Sequence, residues 1–226
     1  VDIVLCAVGG GVIMAGVAVA LKEQNPNIKL IGVEAENMAS MKKALEKGKP
    51  YLVNGPTTIA DGIAVGQVGQ IPFEIFKKYV DDIITVNEDE IAQAILFLLE
   101  KSKVVAEGAG ASALAPLLFN KIDVKGKNVA VIISGGNIDI TNIEKIVNRA
   151  QIVQKRRTKL NIRVKDIIGE LSKITKLLSE NRTNILYLNQ TRYCEKLQSN
   201  EQLLEVVIEC VSKDHLDSVL SILSEN

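Results

Sequence analysis

The sequence contains no Trp, a single His and only three Cys among its 226 residues. With His215 as the one histidine, histidine-based metal sites and Ser-His-Asp triads are effectively excluded. The cysteines Cys6, Cys194 and Cys210 are odd in number and widely spaced. They predict buried thiols in a reducing cytoplasm rather than a disulfide framework or a zinc site.

An excess of charge of one sign is also missing, because 27 Lys and Arg residues balance 27 Asp and Glu residues. The balance gives no general reason to expect a nucleic-acid polymer or an anionic membrane as a partner. Every apolar run is interrupted by a charge or a glycine well before it reaches the length of a membrane span. We therefore expect a cytoplasmic protein without nucleic-acid or membrane partners.

The strand pattern begins at residue 2 with no initiator Met before it, and the last predicted helix ends close to Asn226. We therefore expect the sequence to be a piece of a longer protein, cut at both ends. Its length allows one large domain or two small ones.

Residues 1–150 alternate continuous apolar strands with helices, which predicts an α/β domain whose parallel sheet is covered by helices on both faces. A basic stretch within residues 151–158 indicates an exposed linker. Residues 159–226 follow the order strand, helix, strand, strand, helix. This order is a ferredoxin-like (split βαβ) α+β layout without its final strand, which would leave an unpaired sheet edge.

Three further segments of the first domain have a predicted structure. Residues 106–119 are predicted to form one helix of small apolar residues, and residues 128–133 a buried strand. Residues 49–70 are rich in Gly, Pro and Thr and are predicted to form a long loop. Long loops inside compact domains are often functional.

Three consecutive glycines, Gly9 to Gly11, lie where the first strand turns into a helix that begins at Val12. Glycines let a backbone approach a ligand closely, and the free N–H groups of a helix start attract phosphate. A dinucleotide fingerprint would need its third glycine at Met14, and no Gly-Lys-Ser/Thr follows for a P-loop. The turn favours a compact phosphate cup, with a tight turn that binds nothing as the alternative.

Ser134 begins a second glycine-containing turn, Ser134-Gly135-Gly136-Asn137, after another buried strand. A hydroxyl there can hydrogen-bond to the nitrogen of a flat ring. Taken alone, these four residues favour a plain strand-to-loop turn. Two such turns in one α/β domain, however, suggest two walls of a pocket for a phosphorylated cofactor.

Several acidic residues have both a structural and a functional interpretation. Glu107 precedes Gly108 at a helix start, where an acid is favoured by the helix dipole. Glu34 and Glu36 could bind a hard cation through oxygen, although two acids after a strand are more often solvated. The acids at 81–82 and 88–90 are interpreted as surface and capping charges, with Asn87 as a helix cap.

Six stretches of the first domain follow one another in this order: Val8-Gly9-Gly10-Gly11 with Ala15-Gly16, Gly32-Val33-Glu34, Thr58-Ile59-Ala60-Asp61-Gly62, Val80-Asp81-Asp82-Ile83, Glu107-Gly108-Ala109-Gly110-Ala111 and Ile133-Ser134-Gly135-Gly136-Asn137. Together they resemble the threonine dehydratase (threonine ammonia-lyase) family of fold-type-II pyridoxal-phosphate enzymes. The residues from Lys159 onward are similar to an ACT regulatory domain, with Gly169, Asn184 and Ile185 at its ligand-facing turn positions.

The resemblance implies a role for each part of the pocket. Residues 9–13, namely Gly9, Gly10, Gly11, Val12 and Ile13, would hold the phosphate of pyridoxal 5'-phosphate. Ser134 would contact the pyridine nitrogen, with Glu107 as a weaker cofactor contact. A hydroxyl partner leaves that nitrogen largely neutral, which suits loss of a β-hydroxyl over transamination.

The implied reaction is the deamination of L-threonine, and of L-serine, to 2-oxobutanoate or pyruvate and ammonia. The family's Schiff-base lysine lies in a Ser-x-Lys segment expected upstream of Val1, so no catalytic residue is assigned within this chain. An amino-acid or nucleotide effector would bind the ACT-like part, and the enzyme would be a homo-oligomer.

Three departures from the family pattern accompany the resemblance. Val12 replaces the fourth glycine of the phosphate loop, where its Cβ restricts φ and would narrow the cup. Glu34 matches a cation ligand of some relatives, but Ser40 stands where they have an acid. Ile167-Ile168-Gly169 replaces the usual Arg-Pro-Gly turn of an ACT domain. The alternatives are a serine racemase or serine dehydratase and a non-catalytic, amino-acid-sensing paralogue.

Overall fold

The computed structural model describes residues 1–193, 195 and 197–225. It divides into two compact units, Val1–Val147 and Asn148–Asn226. The boundary falls inside helix α7 (Ile140–Val153), and the predicted linker at 151–158 is shorter than expected. Residues 151–153 continue α7, and the strand that follows already begins at Arg157, where it pairs with Glu209.

The first unit is a parallel sheet with helices on both faces, as predicted. Its strands have the spatial order β3-β2-β1-β4, and all three pairings are parallel. Besides α7, the elements are β1 (Ile3–Ala7), α1 (Val12–Gln24), β2 (Lys29–Ala35), α2 (Ser40–Lys47), α3 (Gln70–Tyr79), β3 (Asp82–Val86), α4 (Glu88–Phe97), α5 (Gly108–Ser112), α6 (Ala115–Leu118) and β4 (Val129–Val131).

The two faces of this sheet are covered by different helices because successive strand side chains point to opposite sides. On one face, Val4 and Cys6 of β1 pack in a buried cluster with Met14 of α1, Met41 of α2 and Phe76 of α3. On the other face, α5 contacts β1 and β2, and α6 contacts β3. The carboxyl ends of the strands therefore open at one edge, between the two helical layers.

Local sequence signals set several element boundaries. The Asn87 side chain accepts the N–H of Glu90, and the Glu90 carboxylate accepts the N–H of Asn87, which completes a capping box and confirms the predicted cap. Such a box satisfies two backbone donors that the first helical turn leaves free. Gly48 ends α2 in the left-handed conformation, with φ +71°.

Two predicted elements differ in the structure. Residues 106–119 form two short helices rather than one, and Pro116 lies in the first turn of the second. Proline has no N–H to continue an existing helix but is well tolerated at a helix start, so it favours the break. The predicted strand at 128–133 has only three residues, Val129–Val131, which pair with Ile3–Leu5 of β1.

The second unit confirms the predicted strand, helix, strand, strand, helix order. Its antiparallel sheet has the order β5-β7-β6, so β7 lies between the two strands that α8 connects. The core includes Ile174, Leu178, Leu204, Val206 and Ile208. Its elements are β5 (Arg157–Lys165), α8 (Glu170–Glu180), β6 (Asn184–Thr191), β7 (Glu201–Glu209) and α9 (Lys213–Glu225).

Two of the three cysteines lie in the described part of the chain. Cys6 and Cys210 are buried free thiols, and burial raises the pKa of the Cys6 thiol to about 11. The prediction for Cys194 lies outside the described residues. Among the helices of the described chain, none combines the length and the apolar character needed to cross a bilayer.

Candidate active site

A cavity of about 360 Å³ lies where the turns after β1 and β4 meet. The structure thus brings the glycine turn and the Ser134 turn to one cavity, which the sequence alone only suggested. The lining residues are Ala7, Gly9, Gly10, Gly11, Val12, Ile13, Gly62, Ile63, Glu107, Ala109, Ser134 and Gly135.

The glycines of the first turn are there for different steric reasons. Gly11 has φ +88°, a left-handed conformation that side chains rarely adopt. A Cβ at Gly9 would lie 2.8 Å from the Cα of Ile63, so the turn packs directly against the 49–70 loop. A Cβ at Gly10 would have one neighbour within 4 Å, Val65 at 3.8 Å. Space next to Gly10 therefore remains open for a ligand.

The backbone around the glycine turn forms an anion cradle. Helix α1 begins at Val12, and its first recorded intrahelical bond runs from the Ala15 N–H to the Gly11 carbonyl at 2.9 Å. Within the described chain, the N–H groups of residues 9–13 have no recorded protein acceptor. Unpaired N–H groups at the positive end of a helix dipole are suited to a phosphate.

Val12 does not distort this cradle. The left-handed residue of the turn is Gly11, whereas Val12 already belongs to α1 and is not among the residues with positive φ. Its side chain is 72% exposed. The restriction that the Val12 Cβ places on φ is therefore compatible with the turn, because the conformation that needs glycine falls one residue earlier, at Gly11. Val12 does line the cavity, and the expected narrowing of the cup stays a prediction.

The opposite wall is built by the Ser134 turn and by α5. Gly135 has φ +74°, and a Cβ on Gly110 would overlap the carbonyl oxygen of Ser134. The small residues of α5 thus let the helix approach the backbone of the turn. This close approach fixes the position of the Ser134 backbone, from which the hydroxyl extends.

Glu107 lies beside the same wall, at the residue before α5. Its N–H donates to the Gly135 carbonyl at 3.3 Å, and a Cβ on Gly135 would overlap the Glu107 carboxylate. Glu107 also lines a second cavity of about 230 Å³ together with Asn137 and Asp61. Its placement is compatible with the predicted cofactor contact, which stays a prediction.

Glu34, the predicted cation ligand, is engaged by the backbone of α2, and its role in binding a cation stays a prediction. Its carboxylate is fully buried and accepts the N–H of Met41 at 2.7 Å and that of Lys42 at 2.9 Å, at the start of α2. Burial raises its pKa to about 7, against the lowering effect of these two N–H groups. The Ser40 hydroxyl is buried without a partner. The described residues contain no group of three or more His, Cys, Asp or Glu that could hold a metal.

The predicted effector residues of the second unit lie in different surroundings. Gly169, with φ +102°, lines a cavity of about 260 Å³ that also includes Asp166 and Arg192. Those two side chains form an ion pair of 2.6 Å, and the Arg192 hydrogen bond lowers the pKa of Asp166. Asn184 instead donates to Glu209 at 3.4 Å, and Ile185 packs against the core.

Two lining residues, Gly62 and Ile63, were given no role from the sequence. They lie in a short 3-10 turn (Asp61–Ile63) of the 49–70 loop. Two sequence signals fall on this loop: its length and composition, and the stretch Thr58 to Gly62 that carries part of the family resemblance. Neither signal assigned a role to a particular residue.

A parallel α/β sheet with an anion cradle at a helix start, facing a serine turn across one cavity, defines a protein that binds a small phosphorylated ligand. The family model described as pyridoxal-phosphate dependent enzyme matches residues 1–135. This chain belongs to that family, so its cofactor is pyridoxal phosphate. The predicted membership in the fold-type-II branch is confirmed.

The relatives are consistent with this assignment. L-threonine ammonia-lyase of Thermotoga maritima is 44% identical over 223 residues, which is 99% of this chain and 55% of that protein. The processed threonine deaminase isoform 2 of Solanum lycopersicum matches with a TM-score of 0.62 and 34% identity, over 66% of this chain and 44% of that one. Serine racemase of Dictyostelium discoideum matches with a TM-score of 0.57 and 35% identity, over 62% and 45%.

The chain spans about half the length of the curated relatives it matches.

Proposed function

We propose that the whole protein is a pyridoxal-phosphate-dependent threonine ammonia-lyase, which converts L-threonine to 2-oxobutanoate and ammonia and also accepts L-serine. The observation that carries this proposal is the cavity shared by the glycine turn and Ser134. It lies in a chain of which 99% aligns with a threonine ammonia-lyase.

The residues of the chain fit the cofactor. The N–H groups of residues 9–13 would hold its phosphate, and the open space beside Gly10 leaves room for it. Ser134 would hydrogen-bond to the ring nitrogen from the opposite wall. Bound there, pyridoxal phosphate supplies an electron sink for the negative charge that forms at the Cα of the amino acid.

Ser134 would also bias the outcome of the reaction. A hydroxyl offers the ring nitrogen a neutral hydrogen bond, whereas a carboxylate would keep the nitrogen protonated. Ser134 would thus leave the ring a weaker electron sink than a carboxylate partner would. This weaker sink would favour prompt loss of the β-hydroxyl over transamination.

The substitution Gly10→Val tests the cradle. A valine at this position enters open space, so it should block the phosphate without displacing the protein backbone. In the full-length protein we expect pyridoxal phosphate affinity to fall by at least about tenfold, because a steric block of a phosphate removes several hydrogen bonds. Gly16→Val is the matched control, since Gly16 lies in α1 with no neighbouring atom within 4 Å. Unchanged affinity of the Gly10 variant would show that the phosphate lies elsewhere.

A serine racemase or serine dehydratase remains the second candidate, favoured by the likeness to the Dictyostelium discoideum enzyme. The reaction products separate the candidates. Incubation of the full-length protein with L-threonine and L-serine should give 2-oxobutanoate and pyruvate, whereas predominant formation of D-serine would support the racemase. Tight amino-acid binding without any product would support the sensing paralogue.

For the second unit we propose an ACT-like regulatory domain that binds an amino-acid or nucleotide effector. Its support is the β5-β7-β6 order and the cavity beside Gly169, where the Asp166–Arg192 pair offers one charge of each sign. We further propose that the protein is a cytoplasmic homo-oligomer. Light scattering of the purified full-length protein tests the oligomeric state, and a monomer would contradict it.

A further inference from the structure

The 49–70 loop supplies a wall of two cavities of the first unit. Gly62 and Ile63 line the cavity of the glycine turn, and Thr58 and Ile59 line the second cavity beside Glu107. Apart from the short turn Asp61–Ile63 and the first residue of α3, the loop contains no helix or strand. Its position therefore depends on tertiary contacts rather than on its own hydrogen-bond ladder.

Glu88 makes one of these contacts. By sequence it is an acid in the first turn of α4, where the helix dipole alone would explain it. In the structure its carboxylate instead accepts the N–H of Ile59 at 2.7 Å and the Nδ2–H of Asn37 at 3.3 Å. The cap of α4 is made by Asn87 and Glu90, so Glu88 is not needed for it.

Asn37 extends the contact to the preceding peptide of the loop, at the Thr57 carbonyl. Its Nδ2 donates to the Thr57 carbonyl at 2.8 Å as well as to Glu88. A Cβ on Gly108 would overlap the Ile59 carbonyl, which places that end of the peptide against α5. The Ile59 backbone is thus held on both sides, by a carboxylate at its N–H and by close packing at its carbonyl.

We propose that Glu88 is a positioning residue for the cofactor cavity, acting through the Ile59 backbone on the loop segment 58–63. The proposal rests on the cofactor cavity described above. A carboxylate is suited to the task because both of its oxygens accept hydrogen bonds, and a charged acceptor makes a stronger bond than a neutral one. A glutamine would present one NH₂ group to donors, either Ile59 N–H or Asn37 Nδ2.

The test is Glu88→Gln in the full-length protein, with two independent measurements. Hydrogen exchange at the Ile59 amide should accelerate by about tenfold, since the charge-assisted bond that protects it is lost. The dissociation constant for pyridoxal phosphate, followed by cofactor absorbance without any substrate, should rise by a similar factor. The matched control is Glu46→Gln, which removes an exposed helical carboxylate paired with Lys43 and should change neither quantity.

Asn37→Ala provides a second variant, which removes the hydrogen bonds of Asn37 to Thr57 and to Glu88 but keeps the bond between Glu88 and the Ile59 N–H. It should weaken cofactor binding less than Glu88→Gln, and the double variant should show a non-additive effect because the two side chains are in contact.

The outcomes separate this proposal from the assignment of the cavity. Unchanged exchange at Ile59, or faster exchange with unchanged cofactor affinity, would each overturn the role of Glu88. If the unaltered protein binds no pyridoxal phosphate, the cavity assignment fails, while the exchange at Ile59 still reports whether Glu88 holds the loop.

Discussion

At the scale of single residues, burial changes what a side chain does from what its type suggests. Glu34 follows a strand as a candidate cation ligand, yet the fold closes around it and places the start of α2 against both carboxylate oxygens. Burial disfavours the charged form of a carboxyl group, so Glu34, with its pKa raised to about 7, is only partly ionised at neutral pH.

Glu34 should make the stability of the first unit depend on pH. Its pKa rises from 4.5 to about 7 on folding, so the folded state binds the proton more tightly than the unfolded state. The free energy of unfolding should be highest below pH 4.5 as far as this group is concerned, fall as the pH rises to about 7, and then level off. The total loss is about 3 kcal/mol.

The contribution of Glu34 can be measured by urea unfolding of the unaltered protein and of Glu34→Gln, each at pH 5 and at pH 8. Glutamine cannot ionise, so the variant should lose less stability between the two pH values, although it gives up one bond to α2 at a cost of about 1 kcal/mol. Equal pH dependence in both proteins would rule out the raised pKa.

Val12 shows that the backbone conformation of a residue, as well as its burial, decides what its type means. The residue type argued against a phosphate cup, because the family has glycine there. The structure puts the left-handed φ on Gly11 and leaves Val12 in an ordinary helical conformation with its side chain exposed. What the cup needs from this position is an N–H group, which valine has.

At the scale of elements, the two walls of the cavity depend on how closely α5 approaches the Ser134 turn. The sequence pattern of residues 106–119 predicts one helix, but the break before Pro116 makes α5 a separate short element. Its glycines have no conformational requirement for positive φ. They are needed because neighbouring backbone leaves no room for a Cβ.

Gly110→Ala tests that close packing. The added methyl group would overlap the Ser134 carbonyl, so α5 or the serine turn must move. We expect a loss of about 1–3 kcal/mol in unfolding free energy and weaker cofactor binding, since overpacking displaces backbone at the cavity wall. Thermal unfolding and a pyridoxal phosphate titration measure the two effects.

Gly16→Ala is the control for this change. It adds the same methyl group to a helix where nothing lies within 4 Å, and it should stabilise the protein by about 0.5–1 kcal/mol through helix propensity. If Gly110→Ala behaved like this control, the packing of α5 against the turn would not be what shapes the wall.

At the scale of the whole molecule, the chain joins two units with separate hydrophobic cores. The first carries the cofactor cavity, and the second carries the cavity lined by Asp166 and Arg192. Under the proposed regulatory role of the second unit, a variant there should change regulation while the chemistry of the first unit is left intact.

Arg192→Gln should abolish the response of the full-length protein to its effector while leaving threonine turnover without effector unchanged. Among the described residues that line that cavity, the guanidinium is the one positive group, and its loss removes the partner for a carboxylate or phosphate. Turnover assays against a panel of amino acids and adenosine nucleotides identify the effector and test the variant together. An undiminished response would place the effector elsewhere.

The sequence by itself determined what depends on neighbours along the chain. Asn87 and Glu90 are three residues apart, and the glycine turn joins adjacent elements, so capping rules and apolar periodicity predicted both. The resemblance added the cofactor and its two turns.

Only the tertiary structure decided what depends on residues far apart in sequence. Gly9 and Ser134 share a cavity because β1 pairs with β4, and Glu88 holds Ile59 because α4 passes beside the 49–70 loop. A carboxylate in a helical first turn has the same local pattern whether it faces water or another backbone. Distance through space, which no local pattern encodes, made the difference.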